Sequence, residues 1–246
     1  MSSFNLLALE TSTERLSLAI HVGEGLNVRA FVREVDAGQR HSELALPLLN
    51  ELLAEAGVTL NDMDAIAFGQ GPGSFTGVRI ACGLTQGLAL GLNIPVVPVQ
   101  TQMAIAEQCG ADKVVVALDA RMAEIYFAAY RRTVGGAWES EVAPMLVGPS
   151  ALPALSGGDW HGIGSAFDVP ALNANLSAQY GAQMTHVVHG ALPSARDVAS
   201  LAARQLSISG IGSALQAEHA APLYLRNKVA MTIVEREALR LKKAAA

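Results

Sequence analysis

The chain begins the same local pattern twice, once in each half. Each time, three apolar strand-like runs follow one another with short polar turns between them. The six runs are residues 5–10, 16–21 and 28–35 in the first half, and residues 114–119, 124–130 and 141–147 in the second. Short runs of this kind, separated by polar turns, are typical of antiparallel β-meanders. The chain is therefore predicted to consist of two similar halves, with a boundary near residue 110.

Helices alternate with further strands after the first meander, and this alternation predicts parallel crossover connections. The predicted helices are residues 42–56, 77–91, 101–109 and 197–208, with a terminal helix after residue 226, and the further strands are residues 64–68 and 94–99. Residues 148–194 are punctuated by glycine and proline and are predicted to be a looser stretch.

Two α/β halves that each open with a β-meander are typical of actin-like folds, the group that includes sugar kinases and Hsp70-like proteins. We therefore predict an α/β actin-like fold with two duplicated lobes. The predicted lobes are residues 1–110 and 111–226, followed by a basic extension at residues 227–246.

The composition limits the class of protein. Hydrophobic residues make up 51% of the 246 residues and charged residues only 16%, which excludes a disordered chain. No window reaches the roughly 18 uninterrupted apolar residues of a membrane span, and residues 1–5 do not begin a secretory signal, so no membrane partner is expected. Cys82 and Cys109 are too few for a disulfide framework. We predict a cytoplasmic protein.

Charge is distributed unevenly along the chain. Lys and Arg number 17 and Asp and Glu number 22, which gives a formal net charge of −5 at pH 7. From Arg226 onward there are six basic and two acidic residues, so this tail carries +4 and residues 1–225 carry −9. An acidic body does not bind nucleic acid strongly by itself. The tail is either a solvated final helix or an arm that contacts RNA.

Two polar turns are candidates for phosphate contacts. Residues 10–14 (ETSTE) follow the first strand, where actin-like ATPases place an acidic residue that orients magnesium-bound water, and hydroxyl or N–H groups that approach phosphate. Surface hairpins favour the same residue types, and Glu10 stands where that superfamily commonly has Asp. Residues 119–124 (DARMAE) form the second-half turn, where Arg121 either holds a phosphate or braces the turn with Asp119.

A glycine-rich loop, residues 69–77 (GQGPGSFTG), joins a predicted strand to a helix. Exposed N–H groups and the helix dipole at such a junction can attract an anion. The loop matches neither common phosphate fingerprint, because Val78 stands where a P-loop has Lys and Ser74 stands where a dinucleotide loop has Gly. Thr76 is the predicted N-cap of the helix.

The helix after this loop carries a stripe of glycines, Gly83, Gly87 and Gly91, spaced four residues apart. Each interior glycine costs about 0.5–1 kcal/mol relative to alanine, so the stripe indicates that another backbone approaches closely. The preceding helix carries an apolar stripe of four leucines, Leu44, Leu48, Leu49 and Leu52. The pattern favours packing within the chain and a partner interface equally.

Hydrolytic and metal chemistry have little support in the sequence. The nearest approach to a nucleophile elbow, residues 148–152 (GPSAL), lacks the final glycine. His186 and His189 have no third ligand nearby, and a strand would direct them to opposite faces. Residues 162–165 (GIGS) are the one candidate for an adenosine loop, and an ordinary turn is the simpler interpretation.

Six segments, taken in order, carry a family resemblance. They are LALETST, RHSELALPLLNELL, GPGSFTGVRIACGLTQGLALGL, IPVVPVQTQMAIAE, LDARMAEIY and PLYLR, and the likeness spans residues 4–226. Together they resemble the TsaB (YeaZ) family, the bacterial accessory subunits in synthesis of the threonylcarbamoyl modification on tRNA adenosine. GPGSFTGVRI and LDARMAEIY are each specific, and their order is more specific still.

The resemblance implies a noncatalytic subunit that pairs with and activates the catalytic paralogue TsaD and joins a larger assembly with the ATPase TsaE. It implies contact with tRNA through that complex, which uses ATP, magnesium and a metal in the catalytic paralogue, and no cofactor bound by this chain. The paralogue binds its metal through an H-x-x-x-H motif, and Thr101 and Ile105 stand at the comparable positions here. The alternatives are an independent actin-like ATPase and a glycoprotease-like metal peptidase.

The resemblance also gives the two helical stripes a role. The family forms its heterodimer through helices of the N-terminal lobe, which implies that the stripes are a partner surface. A self-complementary version of that surface would give a homodimer when the partner is absent. The predicted interface residues are Leu44, Leu48, Leu52, Arg79, Gly83, Gly87 and Gly91.

Overall fold

The structure is a computed structural model that describes residues 4–23 and 28–226. In these residues the first sheet consists of β1 (Leu6–Glu10), β2 (Arg15–Val22), β3 (Arg29–Asp36), β4 (Ala65–Gly69) and β5 (Val96–Val99). The second sheet consists of β6 (Lys113–Asp119), β7 (Ile125–Arg132), β8 (Trp138–Val147), β9 (Trp160–Ile163) and β10 (Met184–Val188). The α-helices are α1 (His41–Ala56), α2 (Phe75–Leu92), α3 (Thr101–Glu107), α4 (Pro170–Tyr180) and α5 (Ala195–Ser209).

The two sheets have the same topology. The strand order is β3-β2-β1-β4-β5 in the first sheet and β10-β9-β6-β7-β8 in the second, which is the same order read from the opposite edge. In each sheet the three meander strands are antiparallel and the two later strands add in parallel. The prediction of an α/β actin-like fold with two duplicated lobes is confirmed.

Helices cover both faces of the first sheet. All five residues of β1 are buried, as expected for a central strand that is covered on both sides. On one face α1 and α2 pack through Leu49, Leu52 and Ala81, and on the other face α5 packs through Val198 and Ala199. The second sheet carries α4, which buries its apolar side chains against it.

A shared core joins the two lobes. α5 comes from the second half of the chain, but it packs against β1, β2 and β4 of the first sheet and against α3. The buried residues of this core include Ala8 from the first sheet, Val116 from the second sheet and Ala199 from α5. The two sheets fall on either side of residue 110, whereas the packing is continuous across it.

The structure corrects several local predictions. Helix α2 begins at Phe75, and its N-cap is Ser74, whose side chain accepts from the Gly77 N–H, so the prediction of Thr76 as N-cap is wrong. The stretch at residues 148–194 contains β9, α4 and β10 rather than a loose chain. Its strands have only four and five residues, too few for a clear periodic signal. The predicted terminal helix and basic extension lie outside the described residues.

Candidate functional site

A cleft of about 1030 Å³ lies between the two lobes. Residues 12–14 and 72–78 line it from the first lobe, and residues 118–122 line it from the second. Residues 223–226 line it as well. The two polar turns and the glycine-rich loop that the sequence singled out therefore face one space.

Glu10 ends β1 and is fully buried. Its carboxylate accepts a hydrogen bond from the Ser12 N–H at 2.6 Å and another from the Thr101 hydroxyl at 3.0 Å. Thr101 Oγ1 in turn accepts from the Gly71 N–H at 3.1 Å. The carboxylate therefore joins the first turn, the glycine-rich loop and the start of α3, and each of its oxygens is bonded to a group of the chain itself.

The glycine-rich loop packs directly on the 10–14 turn. A Cβ atom on Gly77 would collide with the Thr11 carbonyl oxygen, so glycine is required for this close approach. Thr11 Oγ1 donates to the Gly77 carbonyl oxygen at 2.7 Å, and the Ser74 N–H donates to the Ser12 carbonyl oxygen at 2.7 Å. The Thr11 hydroxyl, one of the turn's candidates for a phosphate contact, thus holds the loop.

Burial gives Glu10 a pH-dependent effect on stability. Desolvation raises the pKa of its carboxyl, and the hydrogen bonds from Ser12 and Thr101 oppose the rise. Because the pKa is higher in the folded chain, the resulting stabilisation is fully present below the ordinary Glu value of 4.5 and is lost as the pH rises through the folded pKa. Stability falls with rising pH because the folded state binds this proton more tightly than the unfolded state does.

We expect Glu10→Gln to remove this dependence, because glutamine keeps an acceptor oxygen and carries no charge. The free energy of unfolding of the variant, relative to that of the wild type, should rise as the pH increases from about 4 to about 8. Urea unfolding followed by circular dichroism across this range measures the difference. Two curves that stay parallel at every pH would contradict the expectation.

The positions that correspond to metal ligands in the paralogue carry other groups. Thr101 donates to Glu10, and Ile105 is fully buried in the shared core. Within residues 4–23 and 28–226, no group of three or more His, Cys, Asp or Glu side chains is placed to hold a metal.

The two neighbouring histidines of the second lobe have different contacts. His189 Nδ1 lies 2.8 Å from Asp168 Oδ1, and the His186 ring lies against His161 with ring centroids 5.9 Å apart. Each histidine thus has a local contact of its own within the second lobe.

The turn between β6 and β7 is braced from within. The Arg121 N–H donates to Asp119 Oδ1 at 2.8 Å, and its guanidinium donates to Asp119 Oδ2 at 3.1 Å. The Asp119 N–H donates to Ser165 Oγ at 3.1 Å, and a Cβ on Gly164 would collide with the Ala117 carbonyl oxygen. The 162–165 segment is therefore a close-packed turn that supports the hairpin.

One face of α2 is exposed. Gly83, Gly87 and Gly91 lie on it, and a Cβ atom added to any of them would have nothing within 4 Å beyond its own helix and chain neighbours. Leu90, next to Gly91, is 58% exposed. The close approach that the glycine stripe indicates is therefore not made by the part of the chain that the structure describes.

The leucine stripe of α1 is divided between core and surface. Leu52 is fully buried, whereas Leu44 and Leu48 are partly buried against the same core. Leu46, which the sequence did not single out, is 45% exposed. The Leu52 side chain therefore belongs to the core, and of the three leucines predicted at the interface, Leu44 and Leu48 are the two that can also reach a partner.

α2 is long and apolar enough to cross a membrane, by length and composition alone. Core helices of soluble proteins pass the same test, so this one helix is weak evidence for a span. Its inward side, which includes Ala81 and Ala89, packs in the core of the first lobe. α2 is thus an apolar helix with one side in the fold and the other open.

An arginine stacked on two aromatic rings lies at the start of the exposed face. Arg79 precedes Gly83 by four residues, and its guanidinium carbon lies 3.2 Å from the Phe75 ring centroid and 4.8 Å from the Tyr224 ring centroid. The two ring centroids are 6.5 Å apart. The sequence pointed to Arg79 but gave no role to either ring, because the two aromatic residues are far apart along the chain.

The segment at residues 220–226 connects the lobes. The Leu223 N–H donates to the Gln70 carbonyl oxygen of the first lobe at 2.7 Å. Arg226 then reaches the second lobe, where its guanidinium forms an ion pair with Glu124 at 2.7 Å. PLYLR was part of the family resemblance without an assigned role, and the structure shows that it bridges the cleft.

Three features together define a class of two-lobed actin-like proteins. The two lobes are duplicated, the turns of the cleft are held by the chain's own groups, and one helical face is exposed. The family model for TsaD, tRNA N6-adenosine threonylcarbamoyltransferase, matches residues 34–236. The chain belongs to this family and, within it, to the TsaB (YeaZ) proteins. The resemblance read from the sequence is confirmed.

Individual relatives show how far the similarity extends. The tRNA threonylcarbamoyladenosine biosynthesis protein TsaB of Escherichia coli K12 is 35% identical over 236 residues, which cover 92% of this chain and 96% of that protein. TsaB of Haemophilus influenzae is 45% identical over 132 residues, which cover 52% of this chain and 54% of that protein. The solved structure of YeaZ from Pseudomonas aeruginosa has a TM-score of 0.76 and 36% identity, and the match covers 90% of this chain and all of that one.

Proposed function

We propose that this chain is a noncatalytic subunit required for threonylcarbamoyl transfer to N6 of the tRNA adenosine adjacent to the anticodon. It acts by pairing with the catalytic paralogue TsaD and activating it. The names of the TsaB relatives support a role in synthesis of this modification. Similarity that covers 96% of the Escherichia coli protein supports the same role for this chain.

The observation that carries the pairing is the open face of α2. Three glycines in the body of a helix cost about 3 kcal/mol in total relative to alanine. Within the described chain no backbone approaches any of them. A partner helix that packs against Gly83, Gly87 and Gly91 would use the close approach that they permit and would cover Leu90. Leu44, Leu48 and Arg79 extend this surface.

A supporting role, rather than catalysis, fits the geometry of the cleft. Glu10 is bonded to Ser12 and Thr101, and Thr11 holds the glycine-rich loop. These bonds engage the Glu10 carboxylate and the Thr11 hydroxyl, two of the groups that an actin-like ATPase would direct at a nucleotide. In the proposal, ATP, magnesium and the catalytic metal belong to the other subunits.

The wider assembly follows from the same proposal. The chain works in the cytoplasm with TsaD and the ATPase TsaE, and it reaches tRNA through that complex. In the absence of TsaD, two copies pair through the same helical face, because an apolar surface of this kind can be self-complementary.

The test is a reconstituted reaction that contains the threonylcarbamoyl-adenylate synthase, TsaD, TsaE and tRNA, with and without this chain. Nucleoside mass spectrometry of the digested tRNA measures the product. We expect threonylcarbamoyladenosine to fall to background on omission and to return when the chain is added. An undiminished product without the chain would overturn the proposal and favour an independent ATPase, for which direct titration with ATP and magnesium is the next measurement.

A further inference from the structure

The strongest feature outside the glycine stripe is the cluster of Arg79, Phe75 and Tyr224. Phe75 is 47% exposed and Tyr224 is 50% exposed, although both are large aromatic side chains. Arg79 stacks on both rings, and one of its N–H groups, at Nη1, donates to the Phe75 carbonyl oxygen at 2.9 Å. Stacking holds the planar guanidinium in one orientation before any partner binds.

The charge of Arg79 is not neutralised in the described structure. Eight arginine–carboxylate ion pairs lie within residues 4–23 and 28–226, and Arg79 is in none of them. The exposed side chains of Arg40 and Arg196 are likewise outside these ion pairs. Arg79 differs from both because its guanidinium is stacked on two aromatic rings. A guanidinium has five donors in a rigid fork, and the partner that fits this fork best is a carboxylate or a phosphate.

We propose that Arg79, held by Phe75 and Tyr224, is the charged anchor of the docking face and pairs with a carboxylate side chain of the catalytic paralogue. The inference rests on the proposed function, because it concerns the same interface. It adds an acidic counterpart on the partner and a contribution from the 220–226 segment, which the helical stripes alone do not include.

A protein carboxylate fits this site better than a nucleic-acid phosphate. Arg79 lies in one row with Gly83, Gly87 and Gly91, a small and uncharged surface suited to helix packing. Binding to a phosphate backbone requires several cations, and residues 1–225 carry a net charge of −9. Arginine and tyrosine on a packed apolar surface are also the residue types that contribute most to protein interfaces.

Tyr224 makes the anchor depend on the segment that bridges the lobes. The Leu223 N–H bond to Gln70 and the Arg226 ion pair with Glu124 fix the backbone on either side of Tyr224. Removing the tyrosine ring would leave Arg79 stacked on Phe75 alone. Arg79 would then sample more orientations in the free chain, so ordering its side chain on binding would cost more conformational entropy.

The experiment measures the dissociation constant for purified TsaD by isothermal titration calorimetry. We expect Arg79→Ala to weaken binding by about 30-fold, which is the effect of an interface hot spot, and Tyr224→Ala by about 10-fold. Arg79→Lys should recover only part of the loss, because lysine keeps the charge but lacks the planar fork. The double variant should lose less than the product of the two single effects, because the two side chains act together.

Two controls separate this inference from the proposed function. Arg196→Ala removes an exposed arginine from α5 and should leave the dissociation constant unchanged. Gly87→Arg tests the docking face itself. If Gly87→Arg abolishes pairing while Arg79→Ala and Tyr224→Ala bind normally, the anchor is overturned and the interface stands; if Gly87→Arg also binds normally, the interface fails as well.

A charge exchange identifies the counterpart. Arg79→Glu should bind more weakly than Arg79→Ala, and an acidic residue of TsaD changed to Lys should restore its binding. Loss of tRNA binding by Arg79→Ala, with an unchanged dissociation constant for TsaD, would show that the anchor takes a phosphate and would overturn the proposal. Circular dichroism of each variant confirms that the chain is folded.

Discussion

Gly87→Arg is expected to abolish co-elution of this chain with TsaD while leaving the chain itself folded. The substitution places a long charged side chain in the middle of the open α2 face, between two helices that would pack closely. Steric overlap and desolvation of the charge together should weaken the complex by about 100-fold or more. Size-exclusion chromatography of the mixed proteins measures pairing. In the reconstituted reaction the variant should fail to restore threonylcarbamoyladenosine.

The open space around Gly87 makes this prediction specific. A Cβ atom there meets nothing within 4 Å, and Gly87 is exposed, so we expect the arginine side chain to extend into solvent and the isolated chain to stay folded. Gly148→Arg is the matched control, because Gly148 lies in the second lobe and its added Cβ is equally free. Gly87→Ala should raise the free energy of unfolding by about 1 kcal/mol and weaken pairing less than arginine does. Unchanged co-elution of Gly87→Arg would remove α2 from the interface.

Gly77→Ala is expected to lower the free energy of unfolding by about 3 kcal/mol. Its Cβ would collide with the Thr11 carbonyl oxygen, and backbone cannot move aside as a flexible side chain can. The loop would have to lift from the 10–14 turn, which also breaks the bond from Thr11 Oγ1 to the Gly77 carbonyl oxygen. Urea unfolding followed by circular dichroism measures the loss.

Gly83→Ala, on the same helix, is expected to change the free energy of unfolding in the opposite direction. No atom opposes a Cβ at Gly83, so the gain in helix propensity should raise the free energy of unfolding by about 1 kcal/mol. Helix propensity alone would stabilise both variants, and only the contact with Thr11 separates them. Equal unfolding midpoints for the two variants would show that the turn and the loop are not in close contact.

The sheets could be predicted from the sequence because their signal is local. The six meander strands carry apolar runs separated by polar turns, and this pattern can be recognised without knowing which other segments pack against it. β9, α4 and β10 were missed because the two strands are short and lie in a stretch punctuated by glycine and proline. The N-cap of α2 was placed at Thr76 rather than Ser74, because both are good caps and only the backbone geometry distinguishes them.

The candidate site was predictable only in part. The glycine stripe is visible in the sequence, but whether another backbone covers it depends on the whole fold. Leu52 belongs to the same leucine stripe of α1 as Leu44, yet it is fully buried. The stripe covers a wider part of the helix than the part that remains exposed, and the sequence does not show where the core ends. The contact between Phe75 and Tyr224 joins segments that no local pattern connects.

Helix α5 determines how small a working form of this protein can be. It is encoded in the second half, yet it covers one face of the first sheet, including Ala8 and Ala67. A fragment that ends near residue 110 would expose that face of the first sheet to water. The repeat visible in the topology therefore does not mark two domains that fold independently. Fusions and split versions should therefore avoid the junction and use the β7–β8 turn instead, where Val134 is fully exposed.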